Sequence, residues 1–176
     1  MIFTKTKLND AYIIELEKIE DERGFFARTW DIEQFNNNKL NPKILQCNMS
    51  LSKQKGVIRG MHYQVKPHQE TKFVRCTKGA IYDVIIDLRK DSETFLQWLG
   101  VELTENNYRT LYVPEGFAHG FQTLELNTEV FYQVSEAYHP ESERGIRWND
   151  PAFEISWPLE EKIISKKDMS HSNFIY

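Results

Sequence analysis

The chain has 176 residues, a length that fits one domain, and its 40% apolar and 27% charged residues exclude an intrinsically disordered protein. Its 22 basic residues against 26 acidic ones give a net charge of −4, which argues against a nucleic-acid binder that depends on a basic surface. The two cysteines, Cys47 and Cys76, are too few for a disulfide framework. We therefore expect one globular domain over residues 1–176, with both cysteines reduced.

The N-terminal segment, residues 1–17, interrupts its apolar residues with Lys, Asn and Asp every few positions. It resembles neither a signal peptide nor a membrane span of about 20 apolar residues. On this basis we expect a cytoplasmic protein that does not interact with membranes.

Short apolar segments with period-two alternation predict strands along most of the chain. Turn-forming residues separate these segments, with turns about every 8 to 12 residues, which is typical of antiparallel sandwiches and barrels. The predicted strands are Tyr12–Leu16, Lys72–Cys76, Ala80–Leu88, Trp98–Leu103, Tyr108–Val113, His119–Thr123 and Glu129–Val134. Helix is predicted only at the edges, over Asp31–Asn37 and within Leu159–Asp168. The pattern predicts an all-β barrel or jelly roll with a few short peripheral helices, whose mouth suits a small ligand.

The extended segment Val57–Gln64 contains a glycine, Gly60, in its interior. Strict alternation would place Arg59 and His62 on opposite faces, whereas a bulge at Gly60 would bring both to one cavity. A single histidine is more often a surface or core residue than a catalyst. The shared cavity is what makes His62 a candidate.

Lys72 follows the alternation into the barrel, where its charge needs a partner. Asp83, inside the apolar run Ala80–Asp87, is the natural partner, because a buried carboxylate is costly unless it is paired. A purely structural Lys–Asp pair is the alternative. Tyr132 is first of all a packing residue with a polar tip, His119 lies between a turn and a strand, and the sequence pattern alone ranks neither as catalytic.

A metal site is a further alternative, because His62, His68, Glu70 and His119 are residue types that bind zinc or iron. The spacing His62-x5-His68-x-Glu70 matches no known ligand set, and Pro67 between the two histidines predicts a loop. The preferred interpretation has no metal.

Six ordered blocks carry a resemblance to a known family: Asp21–Phe26, Lys55–Gln64, Lys72–Cys76, Tyr82–Arg89, Pro114–Phe121 and Gly145–Pro151. Together they are similar to the dTDP-4-dehydrorhamnose 3,5-epimerase family of cupin-like sugar-nucleotide enzymes. The resemblance implies a β jelly roll and a homodimer that exchanges an N-terminal strand. It also implies epimerisation of a nucleotide-linked 4-keto-6-deoxyhexose at C3, C5 or both, without a metal or redox cofactor.

The same resemblance implies roles for individual residues. His62 would be the base, oriented by Asp168, and Tyr132 the acid on the opposite face of the sugar. Lys72 would stabilise the enolate oxygen. The other matched positions are implied to bind the substrate. Arg23 and Arg59 would bind the diphosphate, Gln46 and Asn48 would contact the nucleotide, and Asp83 and His119 would support the sugar cavity. Tyr138 would stack on the nucleobase or the sugar, and Phe26 and Arg28 would lie near the nucleobase.

Two features depart from the family pattern. Arg28 stands where the rhamnose enzymes carry a glutamate, and an arginine cannot accept the N3–H of thymine. A CDP-linked substrate therefore stays open beside a dTDP-linked one. The tail after Asp168 lacks the expected proline. A 3,4-ketoisomerase, a metal-dependent cupin oxygenase and a non-catalytic nucleotide-sugar-binding barrel are the remaining alternatives.

Overall fold

The computed structural model describes residues 1–175, most of which belong to two six-stranded sheets packed face to face. The first sheet contains, in spatial order, β1 (Ile2–Lys5), β2 (Tyr12–Glu15), β10 (Thr110–Val113), β7 (Lys72–Lys78), β12 (Thr128–Val134) and β5 (Gln46–Ser52). The second contains β13 (Glu143–Gly145), β6 (Val57–Gln64), β11 (Phe117–Thr123), β8 (Ala80–Asp87) and β9 (Trp98–Thr104), with β14 (Ile163–Ile164) parallel to β6. A separate hairpin consists of β3 (Ile19–Asp21) and β4 (Gly24–Phe26).

The main core lies between the two sheets and follows from the period-two alternation of the strands. Ile81 and Ile85 of β8 face the first sheet, where they pack with residues such as Leu111. Val84 and Ile86 point to the opposite side of the same strand. Each fully buried aliphatic side chain of this kind contributes about 1.5–3 kcal/mol, so the register of β8 is strongly fixed.

Short peripheral segments cover the outer faces of both sheets. Helix α1 (Ile32–Asn37) begins at Asp31, whose side chain accepts two backbone N–H groups of the first turn. Its Phe35 packs on Phe73 of the first sheet, with ring centroids 5.2 Å apart. The C-terminal segment, which includes helix α2 (Lys166–Met169), covers the second sheet, where Phe153 joins the apolar cluster.

The structure confirms the predicted all-β fold and all seven predicted strands, with ends shifted by one or two residues. Tyr108 lies outside its predicted strand because its φ of +54° does not fit an extended chain. Of the one or two turns of helix predicted around Leu159–Asp168, one is present as α2, and the preceding residues add β14 to the sheet. No helix within residues 1–175 is long and apolar enough to cross a membrane.

Candidate active site

A cavity of about 500 Å³ lies between the two sheets, a volume typical of small-molecule sites. Side chains of β5, β6, β7, β11 and β12 and the segment from β14 to α2 line it. Its polar lining includes six residues that the sequence analysis selected: Arg59, His62, Lys72, His119, Tyr132 and Asp168. The fold thus gathers residues that are up to 109 positions apart in the chain into one site, as Arg59 and Asp168 illustrate.

The predicted bulge at Gly60 is confirmed. His62 pairs with His119 and Arg59 pairs with Phe121, so β6 advances by three residues where β11 advances by two. Gly60 has a φ of +129°, and a Cβ there would lie 2.5 Å from the Cα of Gly120. The extra residue brings Arg59 and His62 to the same cavity, which strict alternation would not allow.

Lys72 and Tyr132 enter the cavity from the first sheet. Lys72 pairs with Val134 and Tyr132 pairs with Val74, which makes Lys72 and Tyr132 diagonal neighbours on the inner face. Burial raises the pKa of Tyr132, and the nearby Glu70 carboxylate raises it further, while Arg59 opposes both. The phenol therefore keeps its proton around neutral pH.

The expected Lys72–Asp83 pair is wrong. Lys72 Nζ instead forms an ion pair with Glu70, two residues earlier, and both side chains are about nine-tenths buried. Lys72 is the first residue of β7 in the first sheet, whereas Asp83 lies in the middle of β8 in the second. The carboxylate next to Lys72 in the chain is therefore better placed than the one across the sandwich.

Asp83 pairs with His119, whose Nε2 lies 2.7 Å from Asp83 Oδ1. Asp83 pairs in register with Phe121, so His119 is its diagonal neighbour on the inner face. Burial raises the pKa of Asp83, and the His119 contact offsets part of that rise. His119 lines the cavity, whereas Asp83, which the resemblance placed there, is fully buried beneath it and is not among the lining residues.

His62 and Asp168 form a second histidine–aspartate pair, with 2.7 Å between His62 Nε2 and Asp168 Oδ1. Ser165 caps α2 by accepting the backbone N–H of Asp168, which fixes the aspartate at the helix start. Burial acts to raise the pKa of Asp168, but bonds from His62, Ser165 and the Gly60 N–H outweigh it and hold the pKa below its usual value. An ionised Asp168 keeps the proton of neutral His62 on Nε2 and leaves a lone pair on Nδ1.

Three predicted substrate-binding residues lie outside this cavity. Arg23 is in the β3–β4 turn, where its 84% exposed side chain pairs with Asp21. Phe26 is 65% exposed, and Arg28 pairs with Asp31. Within residues 1–175 none of the three lines the cavity of its own chain.

The remaining predicted contacts lie beside the cavity. Asn48 is paired across the sheet with Tyr132, on the edge strand β5. Gln46, at the start of that strand, accepts the backbone N–H of Tyr138. Tyr138 is 56% exposed and donates its hydroxyl proton to Glu143 over 2.8 Å. These residues are positioned as rim contacts rather than as part of the cavity wall.

Sequence reasoning missed Glu70 as the partner of Lys72, together with Ser165 and Lys167 of the cavity wall. The two-residue separation of Glu70 and Lys72 was an available signal, because residues i and i+2 of an extended chain share a face. For the C-terminal residues, the Ser165-x-x-Asp168 helix-capping pattern was the only local signal.

The metal-ligand set considered from the sequence is not assembled. His68 stacks on His139 with ring centroids 3.5 Å apart, and His119 contacts Asp83. Among residues 1–175, two other groups bring potential ligand atoms within 4.8 Å of one another: His62, Asp168 and His171, and separately His68, His139 and Glu141.

A larger, more open cleft of about 1250 Å³ is lined partly by Asp10, Arg89 and Glu115. Arg89 is already held by Asp87 at 2.9 Å and by Asp10 at 2.7 Å. This cleft lacks the combination of histidine, tyrosine and lysine that the smaller cavity holds, so the smaller cavity is the candidate site.

A jelly-roll fold that gathers histidine, tyrosine and lysine side chains in one cavity is typical of a cupin-like enzyme. A family model described as dTDP-4-dehydrorhamnose 3,5-epimerase matches residues 5–175. The dTDP-4-dehydrorhamnose 3,5-epimerase of Methanothermobacter thermautotrophicus is 46% identical over 169 residues, which cover 94% of this chain and 90% of that protein. The chain therefore belongs to the dTDP-4-dehydrorhamnose 3,5-epimerase family, a family of isomerases, as its resemblance in sequence indicated.

Solved structures agree with this assignment. The dTDP-4-dehydrorhamnose 3,5-epimerase of Elizabethkingia anophelis gives a TM-score of 0.96 at 40% identity, covering 99% of this chain and 96% of that one. A dTDP-6-deoxy-D-glucose-3,5-epimerase from Legionella pneumophila, solved in complex with dTDP-4-keto-L-rhamnose, gives a TM-score of 0.91 at 38% identity. The match covers 98% of this chain and 92% of that one.

Proposed function

We propose that this protein epimerises a dTDP-linked 4-keto-6-deoxyhexose at C3, C5 or both, without a cofactor. The observation that carries the proposal is the position of His62 and Tyr132, which enter one cavity from the two opposing sheets. A sugar bound between them would present one face to an imidazole and the other to a phenol. The sequence similarity to enzymes that act on such sugars supports the substrate class.

The chemistry follows from the acidity of the carbon next to a ketone. His62 Nδ1 takes the proton from C3 or C5, and the electron pair of the C–H bond moves into an enolate whose charge resides on the C4 oxygen. Tyr132 then returns a proton to the same carbon from the other face, which inverts the centre. The high pKa of Tyr132 keeps it available as a donor.

Lys72 is proposed to stabilise the enolate oxygen. Its side chain is about nine-tenths buried, so the attraction between its charge and a developing negative charge is little screened by water. Glu70 holds it in place. Asp168 supports the positive charge that His62 acquires when it takes the proton.

We also propose a homodimer in which the hairpin β3–β4 reaches the cavity of the partner copy. The hairpin exposes Ile19 by 69% and Phe26 by 65%, an apolar surface that a second copy of the chain would cover. Strands β1 and β2 pair within their own chain, so the hairpin is the N-terminal element available for exchange. Arg23 would then bind the substrate diphosphate, with Phe26 and Arg28 near the base.

The dimer proposal predicts complementation between two inactive variants, Arg23→Ala and His62→Asn. After the two are mixed and subunits exchange, half of the dimers are mixed, and each has one site with both residues intact. About a quarter of the wild-type activity should return. No recovery in a mixture whose subunit exchange is demonstrated would contradict the exchanged hairpin.

The epimerase proposal is tested by incubating the protein in D2O with dTDP- and CDP-linked 4-keto-6-deoxyglucose. NMR should show deuterium at each inverted carbon with the dTDP sugar, and Tyr132→Phe should slow inversion by about a hundredfold. Tyr82→Phe, on the outer face of β8, is the matched control and should leave the rate unchanged. If the protein bound the dTDP sugar but introduced no deuterium, it would be a non-catalytic sugar-binding protein. Faster turnover of the CDP sugar would show that the nucleobase of the substrate is cytosine rather than thymine. The cytoplasmic location stays a prediction.

A further inference from the structure

His171 lies three residues after Asp168 and has no part in the mechanism proposed above. Its ring meets the ring of His62 nearly at right angles, with centroids 5.7 Å apart. The ring packs directly on Gly145, which pairs in register with His62: a Cβ on Gly145 would lie 2.3 Å from His171 Nε2. His171 is therefore seated beside the His62–Asp168 pair by close packing, with its side chain 15% exposed.

The nitrogen of His171 that faces this pair lacks a hydrogen-bond partner. Within the described chain, His171 Nε2 is buried and accepts or donates no hydrogen bond. It lies 3.7 Å from Asp168 Oδ1, the same oxygen that lies 2.7 Å from His62 Nε2. A buried imidazole nitrogen without a hydrogen-bond partner can give its lone pair to a metal ion.

We propose that His62, Asp168 and His171 form a binding site for Zn²⁺ or a similar divalent transition metal ion, and that metal binding inhibits the enzyme. In tetrahedral zinc sites, metal–ligand distances of about 2.0–2.2 Å separate neighbouring ligand atoms by roughly 3.3–3.5 Å. The separations of 2.7 and 3.7 Å from Asp168 Oδ1 bracket that value, and the ligand atoms of the three residues all lie within 4.8 Å of one another, so small shifts would complete a site with two nitrogens and one oxygen. The positive charge of Lys167, which acts on His171, is paired with Glu143 at 2.6 Å.

Inhibition follows from the tautomers of imidazole and rests on the proposed role of His62 as base. A neutral imidazole has one lone pair and one N–H. If Nε2 of His62 gives its lone pair to the metal, the proton that it held moves to Nδ1. The nitrogen that faces the sugar then carries a hydrogen and cannot take another proton, so catalysis stops.

The second histidine cluster is a poorer site and supplies a control. The rings of His68 and His139 are stacked within 8° of parallel, so their in-plane lone pairs do not converge on one point. His68 Nδ1 is also bonded to Ser142 Oγ at 2.9 Å. Loss of His139 should therefore leave zinc binding at the active site unaffected.

The test is a calorimetric titration of ZnCl2 into metal-free protein, with turnover measured in buffers of fixed free Zn²⁺. The wild type should bind Zn²⁺ and lose activity over the same concentration range, and a chelator should restore it. His171→Gln should weaken binding and inhibition at least tenfold, each relative to that variant's own metal-free protein, whereas His139→Gln should change neither. Gly145→Ala, which keeps the imidazole but displaces it, should weaken binding as His171→Gln does.

Equal zinc affinity in the wild type and His171→Gln, or loss of binding in His139→Gln instead, would overturn the site. Zinc that binds through His171 without slowing turnover would leave the metal site standing and overturn the inhibition, together with the role of His62 as base. If the metal-free wild type turned over no 4-keto sugar, the proposed function would fail, and the titration would still decide the metal site.

Discussion

The protein contains two histidine–aspartate pairs with the same 2.7 Å separation, and both histidines lie on strands of the same sheet, yet the surroundings of the two pairs differ. His62 is 34% exposed at the cavity and its Asp168 accepts further hydrogen bonds from Ser165 and the Gly60 N–H. His119 is 10% exposed, its Asp83 is fully buried, and within residues 1–175 the second oxygen of Asp83 has no hydrogen-bond partner.

The difference shows that burial and the number of donors decide what such a pair can do. The pKa of Asp168 lies below its usual value, so its carboxylate remains charged and can support an imidazolium on His62. The pKa of Asp83 is raised by burial, which favours a shared or retained proton and a structural role. In the proposed mechanism the His62–Asp168 pair transfers the proton, whereas we expect the His119–Asp83 pair to be structural.

The largest expected difference between the pairs is in turnover. His62→Asn should lower kcat by about a hundredfold or more, because it removes the base. His119→Asn is the matched change in the buried pair, and its loss of kcat should be at least tenfold smaller. Steady-state kinetics on folded variants measure both. Equal losses would remove the distinction between the pairs.

Replacing the aspartates tests the orienting role. Asp168→Asn should lower kcat by about 10- to 100-fold, by analogy with partners that orient metal-bound histidines. The amide can donate to Nε2 of His62, which would place the ring proton on Nδ1, the nitrogen that must accept. Asp83→Asn changes the other pair, which has the same 2.7 Å separation, and should lower kcat by a smaller factor. A larger loss in Asp83→Asn than in Asp168→Asn would contradict the assignment.

Stability should follow the opposite order. His119→Asn leaves the buried Asp83 carboxyl poorly paired, and we expect the free energy of unfolding to fall by about 1–3 kcal/mol. His62→Asn, at a partly exposed position, should change stability less. Urea denaturation followed by tryptophan fluorescence compares the two, and a more stable His119→Asn protein would contradict the structural role.

The smallest effect is in the pH dependence of stability. The pKa of Asp168 is lower in the folded state, so its contribution is present above the unfolded pKa and is lost as pH falls through the folded pKa. The pKa of Asp83 is raised, so its contribution is present below the unfolded pKa and is lost as pH rises through the folded pKa.

Urea titrations between pH 7 and pH 2 should therefore show opposite trends in two pH ranges. The stability difference between the wild type and Asp83→Asn should grow as pH falls towards the unfolded pKa of about 3.8, whereas that between the wild type and Asp168→Asn should stay constant over that range and shrink below it. Parallel trends for the two variants would show that the carboxyl groups do not differ in the way that their surroundings indicate.

Much of the fold follows from local patterns in the sequence. Alternating apolar residues predict β7, β8, β11 and β12, because those strands are buried on at least one face. β5 was missed because it is a mostly exposed edge strand whose residues, Gln46–Ser52, show little apolar alternation. β14 was missed because it owes its strand conformation to pairing with β6, which lies over a hundred residues away in the chain.

Some features of the candidate site could be predicted from local sequence patterns and others could not. The bulge at Gly60 was foreseen from a glycine in a strand, and the inward position of Lys72 from alternation. The partners of Lys72 and Asp83 were not foreseen: the spacing of Glu70 from Lys72 was overlooked, and the pairing of Asp83 with His119 depends on the register of β8 against β11, two strands that are distant in sequence. The sequence also gave no reason to place His171 beside His62.

The central claim, that a base and an acid flank the sugar, is tested most directly by a crystal structure of Tyr132→Phe with a bound dTDP-4-keto-6-deoxyhexose. The account predicts that the hexose ring lies between His62 and residue 132, with the C4 oxygen about 2.7–3.1 Å from Lys72 Nζ. A sugar with both side chains on the same face of its ring, or with its C4 oxygen away from Lys72, would contradict it.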